Sequence, residues 1–154
     1  MGTFISHSSE QTQQLGEAWG RIAESGQIIA LSGDLGAGKT QIVKGLARGL
    51  GCPERVHSPT FNLVNIYLGG RLTLYHLDLY RLETPQQIIA AGLEDYLRPA
   101  GVAVIGWAER LFRAQTPAEA LAEHVPPVFK PLRWVQISTL GETERRLVYE
   151  DSCV

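Results

Sequence analysis

Short apolar runs alternate along this chain with segments whose apolar residues recur every three or four positions. Residues 27–32 (QIIALS) form a mostly apolar run of strand length. Residues 41–50 (QIVKGLARGL) place Ile42, Val43, Leu46, Ala47 and Leu50 at helical spacing before Gly51 ends the run. Upstream, residues 3–7 read as a short strand, and Ser8 or Ser9 can cap a helix in which Leu15, Trp19 and Ile22 share a face until Gly26. Residues 61–68 (FNLVNIYL) and 71–79 (RLTLYHLDL) flank Gly69-Gly70, a two-residue turn signal that predicts an antiparallel hairpin. Pro85 opens a predicted helix over residues 86–91, followed by a second turn around 93–97. Residues 102–107 (VAVIGW) read as a buried strand and 108–114 as helical, whereas the proline-rich stretch 116–131 has no firm period. Two closing strands are predicted at 133–138 and 144–149 around Gly141. This alternation predicts a three-layer α/β fold with a mixed, mostly parallel sheet.

Composition narrows the picture modestly. A chain of 154 residues, 44% hydrophobic and 19% charged, is long enough for one core and too short for two, so a single domain over residues 1–154 is expected. The formal net charge of -2 gives no whole-chain reason for tight, unassisted binding to nucleic acid, although a local basic patch stays open. Cys52 and Cys153 lie far apart with no C-x-x-C pair, the pattern of two reduced thiols, so no zinc is expected. There is no basic segment followed by an apolar leader, and no apolar run approaches the roughly 18 residues that span a bilayer. A cytoplasmic protein without membrane contact is expected.

The chemistry is concentrated in residues 31–40, LSGDLGAGKT. Gly33, Gly38, Lys39 and Thr40 satisfy G-x-x-x-x-G-K-[ST], the Walker A pattern, between the apolar run and the helical segment. The loop must wrap a phosphate with successive backbone N–H groups, and glycine makes that wrap sterically possible. Lys39 reaches the β and γ phosphates in such a loop, Thr40 offers its hydroxyl to Mg²⁺, and the helix points its positive end at the anion. The expected fold is therefore a P-loop nucleoside triphosphate hydrolase, with ATP and Mg²⁺ as ligands.

Motors, kinases and switches share this loop, so the reaction depends on what else surrounds the γ phosphate. In HSPTF (57–61), Pro59 fixes the backbone before Thr60, whose hydroxyl can sense the γ phosphate or simply cap a strand. In YHLDLYRL (75–82), Asp78 interrupts an apolar strand end, where a carboxylate calls for a cation: Mg²⁺, or Arg81 as an ion pair. In VIGWAE (104–109), a strand ends beside Trp107 and Glu109, the place of the second acidic group of an ATPase, although Trp107 reads equally well as core.

Taken together, GDLGAGKT, SPTF, HLDLYRL with GLEDYL, and VIGWAE resemble, in order and spacing, the bacterial TsaE family, formerly YjeE, over roughly residues 6–111. The resemblance implies an ATPase subunit of the machinery that makes threonylcarbamoyladenosine beside the anticodon of tRNA. It implies TsaB and TsaD as partners, with tRNA met only through that complex and the base modified by TsaD. It assigns residues Leu35, Gly36, Ala37, Gly38, Lys39 and Thr40 to the triphosphate, Thr40 and Asp78 to the metal, and Thr60 to a switch-like loop. It puts Thr12 near the adenine, and Arg145 or Arg146 at a basic position near the nucleotide. Lys39, Asp78, Thr60 and Glu109 are the expected catalytic set, with Trp107 beside the nucleotide.

Two positions depart from the family pattern. Members usually read I-E-W at the third motif, and Gly106 stands at the position of that glutamate, the family's Mg²⁺ ligand or water-orienting group. Either Glu109 compensates or hydrolysis is poor. Gln41 stands where a second threonine is common. A nucleotide-dependent binding module that hydrolyses little or nothing is the main alternative. A small-molecule kinase is another, but no arginine-rich lid insertion is visible.

Overall fold

The structure, a computed structural model, describes residues 2–33, 38–53, 55–56, 63–80, 82, 84–92, 100–108 and 132–151. In chain order its elements are β1 (Gly2–Ser6), α1 (Ser9–Ile22), β2 (Ile28–Ser32), α2 (Lys39–Leu50), β3 (Val64–Tyr67), β4 (Leu74–Asp78), α3 (Pro85–Ala90), β5 (Val102–Gly106), β6 (Leu132–Thr139) and β7 (Arg145–Asp151). The strands form one sheet in the order β1-β7-β6-β2-β5-β4-β3. β6, β2, β5 and β4 run parallel at its centre, and β1, β7 and β3 pair antiparallel at the flanks.

The apolar run of β2 has the composition of a strand buried on both faces. Ile28, Ile29, Ala30 and Leu31 are all fully buried. Ile29 and Leu31 join one cluster with Ile42, Val43, Leu46 and Leu50 of α2, and with Val104, Val135 and Leu147 of the sheet. Ile28 and Ala30 face the other side, with Leu77, Ile105 and Trp134. The helix predicted at 108–114, which belongs to the third layer of the expected fold, lies outside the described residues beyond Ala108.

α1 and α2 meet along a seam of glycines. Gly16 and Gly20 of α1 and Gly45 and Gly49 of α2 form two G-x-x-x-G pairs. A Cβ at these positions would fall 2.4 Å from Ile42 O, 2.6 Å from Leu46 O, 2.1 Å from Gln13 O and 2.2 Å from Glu17 O. Only hydrogen fits, so the backbones approach as closely as small residues permit. Ser8 starts α1 as its N-cap, accepting from Gln11 N at 3.1 Å. The helix stops at Ile22 rather than running to Gly26, because Arg71 Nη2 donates to the carbonyls of Gly20, Arg21 and Ala23 at 2.9, 3.2 and 2.8 Å. Trp19 is buried as expected, but Ile22 is 74% exposed; Thr12, Gly16 and Gly20 complete the inward face instead.

The hairpin is antiparallel as predicted, but Tyr67 pairs with Leu74, so residues 68–73 connect the strands rather than Gly69-Gly70 alone. The longer connection packs onto the end of α2. Arg71 N donates to Leu50 O at 2.6 Å, and a Cβ on Gly70 would fall 2.5 Å from the same oxygen. The closing strands β6 and β7 pair as expected, from Arg133↔Asp151 to Thr139↔Arg145.

Candidate functional site

The parallel register puts Leu31, Gly106 and Asp78 in one row at the carboxyl ends of β2, β5 and β4. Open α/β sheets bind ligands in the crevice beyond those ends. β2 leads through Ser32 into the Walker A loop, and α2 begins behind Gly38, whose φ of 104° requires glycine. Gly38 supplies no side-chain cap. A helix opening this way presents its positive end to an anion.

Lys39, the first residue of α2, donates from Nζ to the Gly33 carbonyl, and its ammonium stands 4.4 Å from the centroid of the Trp107 ring. Trp107 packs against Tyr80 at 5.0 Å. The Tyr80 N–H donates to Asp78 Oδ1 at 3.0 Å, and Asp78 N donates to Leu63 O. A contiguous set of contacts thus runs from the lysine to the acidic strand end. Trp107 occupies the left-handed region with φ 58°, the one non-glycine residue to do so among the described residues. A bulky side chain there costs about 1–3 kcal/mol, and such residues cluster at ligand sites. Half-buried against the cluster of Leu77 and Ile105, Trp107 is partly core and partly the floor under Lys39.

Gly106 sits directly beside Asp78. A Cβ there would lie 4.0 Å from Asp78 Oδ1 and 3.6 Å from Leu77 O, ordinary contact distances. A side chain at 106 therefore fits and would stand next to the Asp78 carboxylate. The position lacks a carboxylate because the residue is glycine, not because the backbone forbids one.

A second part of the cleft is a cavity of about 200 Å³ lined by Ser8, Ser9, Thr12, Gly38, Gln41, Glu142, Thr143 and Arg145. Thr12 is buried, its hydroxyl 2.7 Å from Ser6 Oγ and 3.3 Å from Ser8 O. Arg145 Nη1 donates to Gly141 O at 2.8 Å and Glu144 O at 2.9 Å, which fixes the β6–β7 turn against the cavity. Arg146 is exposed on the same strand and is not among the lining residues. Gln41 Oε1 accepts from Gln13 Nε2 at 2.6 Å. The cavity joins Thr12, Gly38 and Arg145, positions separated by most of the chain.

The expected residues Leu35, Gly36, Ala37, Thr60 and Glu109 lie outside the described residues. Sequence reasoning missed the contributions of Glu142 and Thr143, which sit in a polar turn with no motif, and it read Ser8 and Ser9 only as candidate caps of α1, not as lining of the cavity. The donor set suits a hard cation: the Thr40 hydroxyl and Asp78 carboxylate are oxygen donors, and Mg²⁺ commonly takes one or two carboxylates with phosphate and water. Among the described residues no group of three His, Cys, Asp or Glu side chains gathers for a metal. No helix among them is long and apolar enough to cross a membrane.

Residues 6–128 match the family model described as threonylcarbamoyl adenosine biosynthesis protein TsaE. The chain belongs to the TsaE family. A relative from Treponema pallidum, the tRNA threonylcarbamoyladenosine biosynthesis protein TsaE, is 46% identical over 107 residues, 70% of this chain and 78% of its own length. The Bacillus subtilis protein of the same name is 36% identical over 140 residues, 91% of this chain and 79% of its own. The crystal structure of YdiB from Bacillus subtilis superposes with a TM-score of 0.69 at 28% identity, covering 99% of this chain and 86% of that one. The P-loop α/β fold of the family therefore extends through the C-terminal strands, beyond the last motif.

Proposed function

We propose that this chain is a Mg²⁺-dependent ATPase subunit for threonylcarbamoyladenosine modification of tRNA, acting in the cytoplasm as one domain over residues 1–154 with TsaB and TsaD. The observation that carries this reading is the cluster of Gly33, Lys39, Trp107, Tyr80 and Asp78 at the ends of three adjacent strands. The amides of the loop, including Leu35, Gly36, Ala37 and Gly38, cradle the phosphates, and Lys39 exchanges the Gly33 carbonyl for phosphate oxygens. Thr40 and Asp78 would hold Mg²⁺, which would supply positive charge beside the β and γ phosphates. Thr60 contacts the γ phosphate, and Thr12 and Arg145 receive the nucleoside end in the adjoining cavity.

One observation favours a second reading, a nucleotide-dependent binding module with slow hydrolysis. The position beside Asp78 holds glycine, so one carboxylate of the γ-phosphate side is lacking unless Glu109 supplies it. ATP turnover by the chain alone and with TsaB and TsaD separates the readings. The ATPase reading expects weak turnover alone, stimulation by the partners, and repeated rounds of tRNA modification only in the complete mixture. Modification without TsaD, or no stimulation, overturns it. Lys39→Ala should abolish ATP binding in a folded protein, as read by calorimetry, because a half-exposed loop lysine contributes charge rather than packing.

A further inference from the structure

A second cavity, of about 310 Å³, opens on the flank of α2 and is lined by Lys44, Ala47, Arg48, Cys52, Arg55 and Val56. None of these lines the cavity at Thr12 and Arg145. Among the described lining residues three are cations and none is acidic. Lys44 and Arg48 are four residues apart on one helix face, a like-charge pairing that mildly destabilises the helix. Arg55 adds a third positive charge from beyond the helix, in a chain whose formal net charge is -2. Among the described residues, Lys44 and Arg55 take part in no ion pair, while Arg48 shares Glu17 at 3.6 Å and donates to Gln13 at 2.6 Å. Like charges gathered in a concave wall focus positive potential on its opening.

The floor has a different character. Cys52 and Val56 are buried, and Ala47 lies 2% exposed at the base of the α2 flank. A charged rim over a small apolar floor, at the lower end of the volumes that hold small ligands, suits a ligand with an anionic and an apolar part. Arg forks pair phosphate oxygens bidentately, and three positive charges outweigh the single negative charge of a carboxylate.

We propose that this cavity is a second site, distinct from the Walker A cleft, that binds a nucleotide unit: phosphate against Lys44, Arg48 and Arg55, base or ribose over Ala47 and Val56. The unit is either a free nucleotide or one nucleotide of an RNA strand. Arg55 and Val56 immediately precede HSPTF in the sequence, so an occupant here touches the chain next to the segment assigned to the γ phosphate.

The test measures binding of adenosine monophosphate, a fluorescein-labelled ten-nucleotide RNA, and a glutamate-rich peptide of matched charge. The proteins are the full chain and its Lys39→Ala, Lys44→Glu and Arg55→Glu variants, each checked for fold by circular dichroism. Because Lys39→Ala removes only the Walker A site, the result does not depend on the function proposed above. At least one phosphate probe should bind the parent chain and Lys39→Ala equally, and each charge reversal should weaken it at least tenfold. For the RNA, the slope of log K against log salt should be about -0.7, from the one phosphate the site holds, and should flatten in the variants. Binding of the RNA without the monophosphate assigns the site to a strand; binding of the monophosphate assigns it to a free nucleotide. Absence of binding, binding unchanged by both reversals, loss in Lys39→Ala alone, or tighter binding of the acidic peptide each overturns the proposal.

Discussion

Gly45→Ala places a methyl group where the structure has backbone. Its Cβ would lie 2.1 Å from Gln13 O, 2.8 Å from Glu17 N and 2.9 Å from Gln13 C, all main-chain atoms of the neighbouring helix. Carbon and carbonyl oxygen approach to about 3.3 Å at closest, so the helices must part by roughly 1 Å. They cannot part at one point only, because the seam is as tight at Gly16, Gly20 and Gly49, where an added Cβ would fall 2.2–2.6 Å from main-chain oxygens. Opposing this, alanine is about 1 kcal/mol better than glycine inside a helix. Overpacking a rigid interior costs about 1–3 kcal/mol and occasionally more, and a clash with backbone belongs at the upper end. We expect a net loss of about 2 kcal/mol, a fall in Tm of about 4–8 °C for a chain of this size. Scanning calorimetry on Gly45→Ala and Gly141→Ala checks it, since a Cβ at Gly141 meets nothing within 4 Å. ATP affinity should fall as well in Gly45→Ala, because the seam sets the distance between Thr12 and Gly38 across the cavity. An unchanged or raised Tm would refute the reasoning: the helix preference of alanine would then outweigh the contact.

Gly106→Glu should raise the hydrolytic step with partners present by about 10², or roughly 2.7 kcal/mol, and leave ATP affinity little changed. Single-turnover hydrolysis reads it, and if Glu109→Gln controls the rate instead, Glu109 holds the acidic role. Arg145→Ala should raise the Kd for ATP about tenfold by removing a charged donor from the cavity, whereas Arg146→Ala should not; calorimetric titration distinguishes them. Arg133 grips Asp151 with two bonds, Nε to Oδ1 at 2.6 Å and Nη2 to Oδ2 at 2.9 Å, and these bonds hold the Asp151 carboxyl below its usual range. With the folded pKa depressed, the stabilisation is present above the unfolded value near 4 and is lost as pH falls through the folded one. Asp151→Asn should therefore cost stability at pH 7, by less than about 1 kcal/mol because the pair is solvent-screened, and the difference from the parent should vanish in strong acid during pH-resolved thermal melts.

The elements that were legible in the sequence are those whose apolar pattern has a single reading. β2, β5 and α2 were evident because a doubly buried strand is apolar throughout and a one-sided helix is not. Lys39, Thr40 and Gly38 were legible because wrapping a phosphate demands a local spacing. The glycine seam was written as plainly, in residues 16–20 and 45–49, yet a glycine within a helix reads as a weak helix former until its partner helix is known. Ile22 was misassigned because Arg71, about fifty residues away, ends α1 and leaves that turn in solvent. The cavity at Thr12 depends on β1 pairing with β7, which brings Ser6 opposite Arg145, and no local pattern encodes that pairing. Gly106 could be flagged from the motif, but only its contact with Asp78 shows that a side chain would fit.

The Walker A loop leaves the sheet from β2, whose residues 28–31 are wholly buried between β5 and β6. Amides in such a strand exchange their hydrogens with water only when the whole domain opens, because no smaller unit releases a central strand bonded on both edges. Whatever binds the loop is therefore coupled to the entire folding equilibrium rather than to a frayed segment. A ligand at a thousand times its Kd adds about 4.1 kcal/mol to that equilibrium. Its occupancy would be felt as slowed exchange along the whole of β5 and β6, the strands bonded to the two edges of β2.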